Sequence, residues 1–188
     1  MNKYAHFSKK NRRLQGYDYR LAGWYFITIC VKDREMVFGN VKNGRMELSD
    51  AGQVAHDYWL EIPKYKPQVI LDEFVVMPNH MHGLLGLEYS EDHIITPEPK
   101  PEPAGMETNP AKNQFMANLS PKAGSISRII GSYKAACTKM IRSISNAPFY
   151  WQEHFYDHII RNEQDFARIA EYIRNNPKKW AEDKFYKG

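Results

Sequence analysis

An α+β sandwich, with a central antiparallel sheet and helices packed on it, is the fold this sequence predicts. Three observations carry that reading. Aromatic and β-branched runs alternate with segments of helical period. Two of the strand-like runs are joined only by Pro78-Asn79, a link short enough to pair them antiparallel. The chain has 188 residues, 43% hydrophobic and 26% charged, which suffices for one sizeable core and falls short of two. A single domain spanning 1–188 is therefore expected.

The elements follow in order. Residues 1–22 are polar and basic and read as an N-terminal arm. GWYFITICV (23–31) has strand composition, and Asp33-Arg34 begins a turn. Within 36–48, MVFGNVK and RMELS flank Asn43-Gly44, the dipeptide a type I′ hairpin turn prefers. Ser49 or Asp50 caps a helix to about Glu61, with Val54, Tyr58, Trp59 and Leu60 on its apolar side. Pro63 and Pro67 end it. VILDEFVVMP (69–78) and HMHGLLGLE (80–88) are the second and third long strands. Residues 89–123, which include TPEPKPEPAG, are rich in Pro, Glu and Lys without period, as expected of a flexible surface insertion.

Ser125 caps a helix through about Ile144, with Ile126, Ile129, Ile130, Tyr133, Cys137, Met140 and Ile141 at helical spacing. A short strand is expected near FYDHII, inside the aromatic run 149–161. Asn162 caps the last helix, with Glu163 and Asp165 in its first turn, where the helix dipole favours acids. Phe166, Ile169, Ala170 and Ile173 form its apolar stripe, and Pro177 closes it.

Composition narrows the function classes. Mean hydropathy is −0.63, and no stretch approaches the ~20 apolar residues of a spanning helix. The start, MNKYAHFSKKNRR, has no apolar segment of a secretory signal. Cys30 and Cys137 stand far apart among apolar neighbours, with no CxxC motif, which fits buried thiols in a reducing compartment. A membrane protein and a secreted disulfide scaffold are thus argued against, and a cytoplasmic location is expected.

The net charge is +4, and its distribution says more than its size. Lys3, Lys9, Lys10, Arg12, Arg13 and Arg20 precede the first strand against one acid, Asp18. From Thr108 to Gln152 there is no acid, yet Lys112, Lys122, Arg128, Lys134, Lys139 and Arg142 fall there. At 100° per residue Arg128, Lys139 and Arg142 lie within about 60° of one another beside the apolar face. A surface with a positive side suits a polyanion such as nucleic acid. Interleaved Tyr17, Tyr19, Trp24, Tyr25 and the aromatics of 149–156 suit unpaired strands, which bind by charge and stacking.

The residues that bear chemistry begin with Pro78-Asn79-His80-Met81-His82-Gly83. On a strand, i and i+2 share a face, so His80 and His82 present two imidazoles together while Met81 enters the opposite layer. Neutral imidazoles at that spacing suit a divalent cation. Zinc is a poor fit, since no cysteine is near and no third histidine is evident. In the last helix Tyr172 and Asn176 stand four apart on one face, about 70–110° from the centre of the apolar stripe. That shoulder points along a sheet packed beneath it. A tyrosine near a cation can attack a phosphodiester and keep its bond energy in a covalent phosphotyrosine link. Taken singly, the histidines also suit a polar core, Tyr172 a core rim and Asn176 a helix end before proline.

On these motifs the chain resembles the IS200-like tyrosine transposases, in particular the REP-associated branch, within the HUH (His-hydrophobic-His) single-strand DNA nucleases. The matching pieces are GYDYRLAGWYFITICVKDR, DEFVVMPNHMHGLL, SISRIIGSYKAACTKMIR and WQEHFYDHIIRNEQDFARIAEYIRNNPKKW. They occur in family order and leave out 89–122. The resemblance implies a ferredoxin-like sandwich with His80 and His82 as metal ligands. It implies Tyr172 as nucleophile and Asn176 as the third ligand, where related insertion-sequence enzymes use Gln. It implies Mg²⁺ or Mn²⁺, and DNA transposition by cutting and rejoining single-stranded DNA at hairpin-forming palindromic repeats. The cut leaves a 5′-phosphotyrosine and a free 3′-OH. Either a monomer or a homodimer is consistent with the family. Candidate phosphate contacts, from charge placement, are Arg12, Arg13, Arg128, Lys134, Lys139 and Arg142.

Two other readings compete. One is a non-catalytic single-stranded nucleic-acid-binding protein on the same fold. The other is a metallo-hydrolase indifferent to Tyr172. His80 is expected to be an exposed ligand, so that His80→Ala abolishes cutting and leaves folding intact. His158 is expected to be a structural hydrogen-bonder as readily as a site residue.

Overall fold

The structure, a computed structural model, describes residues 17–88 and 124–186. The 89–123 segment and Arg12 and Arg13 of the basic arm lie outside the described residues. The element order is β1 (Gly23–Cys30), β2 (Gly39–Lys42), β3 (Arg45–Leu48), α1 (Asp50–Leu60), α2 (Ile62–Tyr65), β4 (Val69–Met77), β5 (His80–Leu87), α3 (Ile126–Ser145), β6 (Tyr156–Ile160) and α4 (Glu163–Asn175). A 3₁₀ segment, Pro177–Glu182, follows α4.

The main sheet has the order β4-β5-β1-β6, with every neighbouring pair antiparallel. With the β2–β3 hairpin set aside, this is the βαββαβ order of a ferredoxin-like sandwich, extended by α4. The hairpin turns at Asn43 (φ 50°) and Gly44 (φ 70°), the double positive φ that a type I′ turn requires.

Caps fall where the sequence placed them. Ser49 accepts from Gly52 N–H, Ser125 from Arg128 N–H, and Asn162 from Asp165 N–H. Pro63 does not simply stop α1. It sits in the first turn of α2, where its missing N–H costs nothing. Two residues expected on apolar faces are exposed: Leu60 at the end of α1 and Met140 on α3.

The sheet is covered on both sides, which is why all eight residues of β5 are buried. Tyr25, Ile27 and Ile29 of β1 and Met81 and Leu85 of β5 pack under α1 and α3 in the main core. The Tyr133 hydroxyl spans that layer, donating to Ala55 O at 2.8 Å. Gly83 is required here: a Cβ would stand 2.5 Å from Trp59 Cζ2, inside van der Waals contact. The opposite face carries α4, whose Ile169, Ala170 and Ile173 close over Leu84. A third small core joins Cys30, Met77, Trp180 and Phe185. The even-numbered residues of β5 therefore face α4, and this sets the location of the site.

Candidate active site

His80 and His82 leave β5 on the α4 side, and Thr28 and Val75 pair with His82 across the sheet. The two imidazoles meet Nε2 to Nε2 at 3.1 Å. Their other nitrogens are anchored. His80 Nδ1 bonds Asn79 Oδ1 at 2.9 Å, and His82 Nδ1 bonds Thr28 Oγ1 at 2.8 Å. Asn79 Nδ2 donates to Phe185 O at 2.8 Å, so its Oδ1 is the acceptor and His80 Nδ1 carries the proton. His80 Nε2 of the neutral ring is then a lone pair facing His82. With His82 Nδ1 accepting from the Thr28 hydroxyl, His82 Nε2–H donates to that lone pair; a bound cation would instead be met by a lone pair from each ring.

Tyr172 and Asn176 reach this pair from α4. The Tyr172 hydroxyl lies 3.2 Å from His82 Nε2 and 3.4 Å from Asp183 Oδ2. Phe26 stands edge-on beside the phenol, ring centroids 6.1 Å apart. Asn176 is the C-cap of α4, and its Nδ2 donates to Asp183 Oδ2 at 3.1 Å. Its Oδ1 is buried without a hydrogen-bond partner, an arrangement normally costing about 1–3 kcal/mol. A cation ligated by that oxygen would remove the cost.

Electrostatics follow from burial. His80 is 0% exposed and His82 is 1% exposed. Desolvation is the largest influence on both, and it pushes His80 down to about 4 and His82 well below the usual histidine value. Both rings are thus neutral at physiological pH, the state a metal needs. Tyr172 is pushed up to about 12, first by burial and then by the Asp183 charge. The expectation of an exposed His80 fails. Its ring is sandwiched at 4.4 Å from Phe185 and 5.9 Å from Trp180, because the segment after α4 folds back over β5.

Asp183 and Phe185 belong to this site and were not foreseen. One ligand atom each from His80, His82 and Asp183 lie within 4.8 Å of one another, a group that can hold a metal ion. The oxygen and imidazole donors suit a hard-to-intermediate divalent ion, so the residues present fit the cation the family resemblance implies. Two clefts open beside Tyr172. One, of about 520 Å³, is lined by Phe26, His158, Arg168 and Lys184. The other, of about 430 Å³, includes Asn175, Asn176 and Lys179. His158 bonds Asp165 at 2.8 Å at the edge of the first cleft.

The basic residues of α3 are not brought to this centre, since α3 covers the opposite face. Two of them are engaged internally. Lys134 Nζ donates to Gln152 O at 2.6 Å and Glu153 O at 3.1 Å. Arg142 Nη2 donates to Phe149 O at 2.9 Å, and its guanidinium stacks on Tyr150. Arg128 and Lys139 are exposed on the helix. Several aromatics expected to stack on nucleic acid are core instead: Tyr25, Phe149 and Trp151 are buried, and Trp24 packs edge-on against Phe166. Their apolar area is better removed from water by the protein itself. Among the described residues no helix is long and apolar enough to cross a membrane.

No known family's sequence profile matches the chain. An uncharacterized protein of Haemophilus influenzae is 38% identical over 182 residues, covering 95% of this chain and 93% of that one. Among solved structures, a REP-associated tyrosine transposase bound to a REP hairpin aligns over 92% of this chain and 77% of its own, with a TM-score of 0.52 and 18% identity. A candidate transposase from Deinococcus radiodurans aligns over 87% and 95%, with a TM-score of 0.42 and 18% identity.

Proposed function

This chain belongs to one family with the Haemophilus influenzae protein and has the fold of a REP-associated tyrosine transposase, and on that footing we propose that it is a metal-dependent tyrosine transposase or endonuclease of single-stranded DNA. One observation carries the proposal: the Tyr172 hydroxyl stands 3.2 Å from His82 Nε2 in the same chain, with His80 Nε2 a further 3.1 Å on. A phenol at a paired-imidazole centre, with clefts on either side, has the parts for nucleophilic attack on a strand threaded past it. Because one chain supplies both phenol and imidazoles, a monomer suffices for the chemistry.

The chain's own residues perform these steps. Tyr172 oxygen attacks phosphorus, its proton passing to water at the open side of the cleft. The bond from phosphorus to the 3′-oxygen breaks, and that oxygen takes a proton to leave as a free 3′-OH. The 5′ phosphate stays on Tyr172. Attack by another 3′-OH reverses the step and rejoins a strand without ATP. Mg²⁺ or Mn²⁺ held by His80, His82 and Asn176 would neutralise phosphate charge and offset the high proton affinity of the phenol. Phe26 gives the larger cleft an aromatic wall suited to stacking, and Lys184 and Arg168, the latter paired with Asp165, line it together with Glu182 and Asp183. Arg128 and Lys139, together with Arg12 and Arg13, are the proposed further phosphate contacts. The solved relative's hairpin ligand supports hairpin-forming DNA as the substrate class.

A labelled single-stranded hairpin oligonucleotide incubated with the protein and Mn²⁺ tests this on a denaturing gel. A slow covalent band that disappears in Tyr172→Phe is expected. Binding without a band would leave a non-catalytic DNA-binding protein, and cleavage surviving Tyr172→Phe would leave a hydrolase.

A further inference from the structure

Asp183 changes what the site can do before DNA arrives. His80, His82 and Asn176 are neutral donors. Two cations crowd them: Arg34 and Lys184 sit 5.0 and 4.9 Å from the ring of Phe185, the ring that covers His80. Three neutral donors beside two positive charges hold a divalent ion poorly and would depend on a substrate phosphate to complete the binding.

The carboxylate removes that dependence. Its Oδ1 accepts from Phe185 N–H at 2.7 Å, and its Oδ2 accepts from Asn176 Nδ2 at 3.1 Å. These bonds fix the carboxylate where one of its oxygens falls within 4.8 Å of both ring nitrogens. The same contact spends the Asn176 amide nitrogen and leaves its buried oxygen without a partner. One Asp183 oxygen stands with the two imidazole nitrogens, Asn176 is tied to that carboxylate through Nδ2, and the net charge of the loaded site falls by one.

We propose that Asp183 preloads the site: the DNA-free protein binds its divalent cation through this carboxylate together with His80, His82 and Asn176, and the DNA phosphate joins second. Asn176 thereby has two tasks, ligation through Oδ1 and positioning of Asp183 through Nδ2. The inference rests on the metal-dependent reading of this centre and adds an order of binding to it.

Calorimetric titration of the full, DNA-free chain with Mn²⁺ tests the proposal, with the electron paramagnetic resonance signal of free Mn²⁺ as a second measure. The wild type is expected to bind one Mn²⁺. Asp183→Asn keeps the shape and the acceptor for Phe185 N–H, and should weaken binding by about tenfold or more, since ligand charge tunes such sites over decades. A measurement that needs no variant is the infrared carboxylate stretch of ¹³C-aspartate-labelled wild type, which should shift on adding Mn²⁺. Equal affinity in wild type and Asp183→Asn, an unmoved carboxylate band, or no Mn²⁺ binding by the DNA-free wild type overturns the proposal. The covalent-band assay fails separately. Affinity lost in Asp183→Asn without any band keeps the preloaded site and removes strand cutting; a band with unchanged affinity does the reverse.

Discussion

Replacing His80 by alanine should damage folding as well as chemistry. The ring is fully buried. Removing it leaves Asn79 Oδ1 without its 2.9 Å donor and opens space against Phe185 and Trp180. An orphaned buried acceptor costs about 1–3 kcal/mol, and a truncated core side chain adds a cavity cost, for a total of about 2–5 kcal/mol. At roughly 2–4 °C per kcal/mol for a chain of this size, Tm should fall by about 4–20 °C. Calorimetric melting in chelator, so that no cation contributes, reads this directly. The same residue predicts an acid dependence. Burial lowers the folded His80 to about 4, whereas the unfolded chain protonates near 6.5. The unfolded state therefore binds the extra proton first. Stability present above pH 6.5 is lost as pH falls through about 4. The gap between wild type and His80→Ala should narrow over that window. An unchanged Tm at neutral pH, or a gap that widens on acidification, would refute the argument that this ring is a packed, neutral part of the core.

Gly83→Ala should cost about 1–3 kcal/mol in urea unfolding, because the new Cβ would meet the Trp59 indole at 2.5 Å; a stability equal to wild type would mean that the indole shifts freely. Arg128→Ala with Lys139→Ala should weaken single-stranded DNA binding and flatten its salt dependence at unchanged Tm. Lys134→Met should instead lower Tm, since Nζ holds the carbonyls of Gln152 and Glu153; the opposite pattern would assign Lys134 to DNA and the other two to structure.

What could be read from the chain alone was local. The period of two put His80 and His82 on one face, and the four-residue spacing put Tyr172 and Asn176 on one side of α4. The cap residues Ser49, Ser125 and Asn162 marked helix starts because each supplies a side-chain oxygen to orphan N–H groups. Asn43-Gly44 marked its turn through positive φ. Backbone geometry enforces all of these over a few residues, so composition and spacing suffice.

The tertiary structure decided which charged and aromatic side chains are spent and which are available. Nothing local distinguishes Lys134, held by two carbonyls, from Lys139, exposed about one and a half turns further on. Asp183 carries no motif, and its place beside the imidazoles depends on Asn79 Nδ2 grasping Phe185 O and on Trp180 and Phe185 finding a small core with Cys30 and Met77. Those contacts join residues a hundred or more positions apart. They exist because burying two aromatic rings outweighs leaving the segment in water, an outcome that depends on the finished sheet and not on the residues near Asp183. The pattern along the chain thus determined the pair of imidazoles and the phenol as candidates. Long-range burial alone turned them into one neutral, desolvated centre with a carboxylate at its edge.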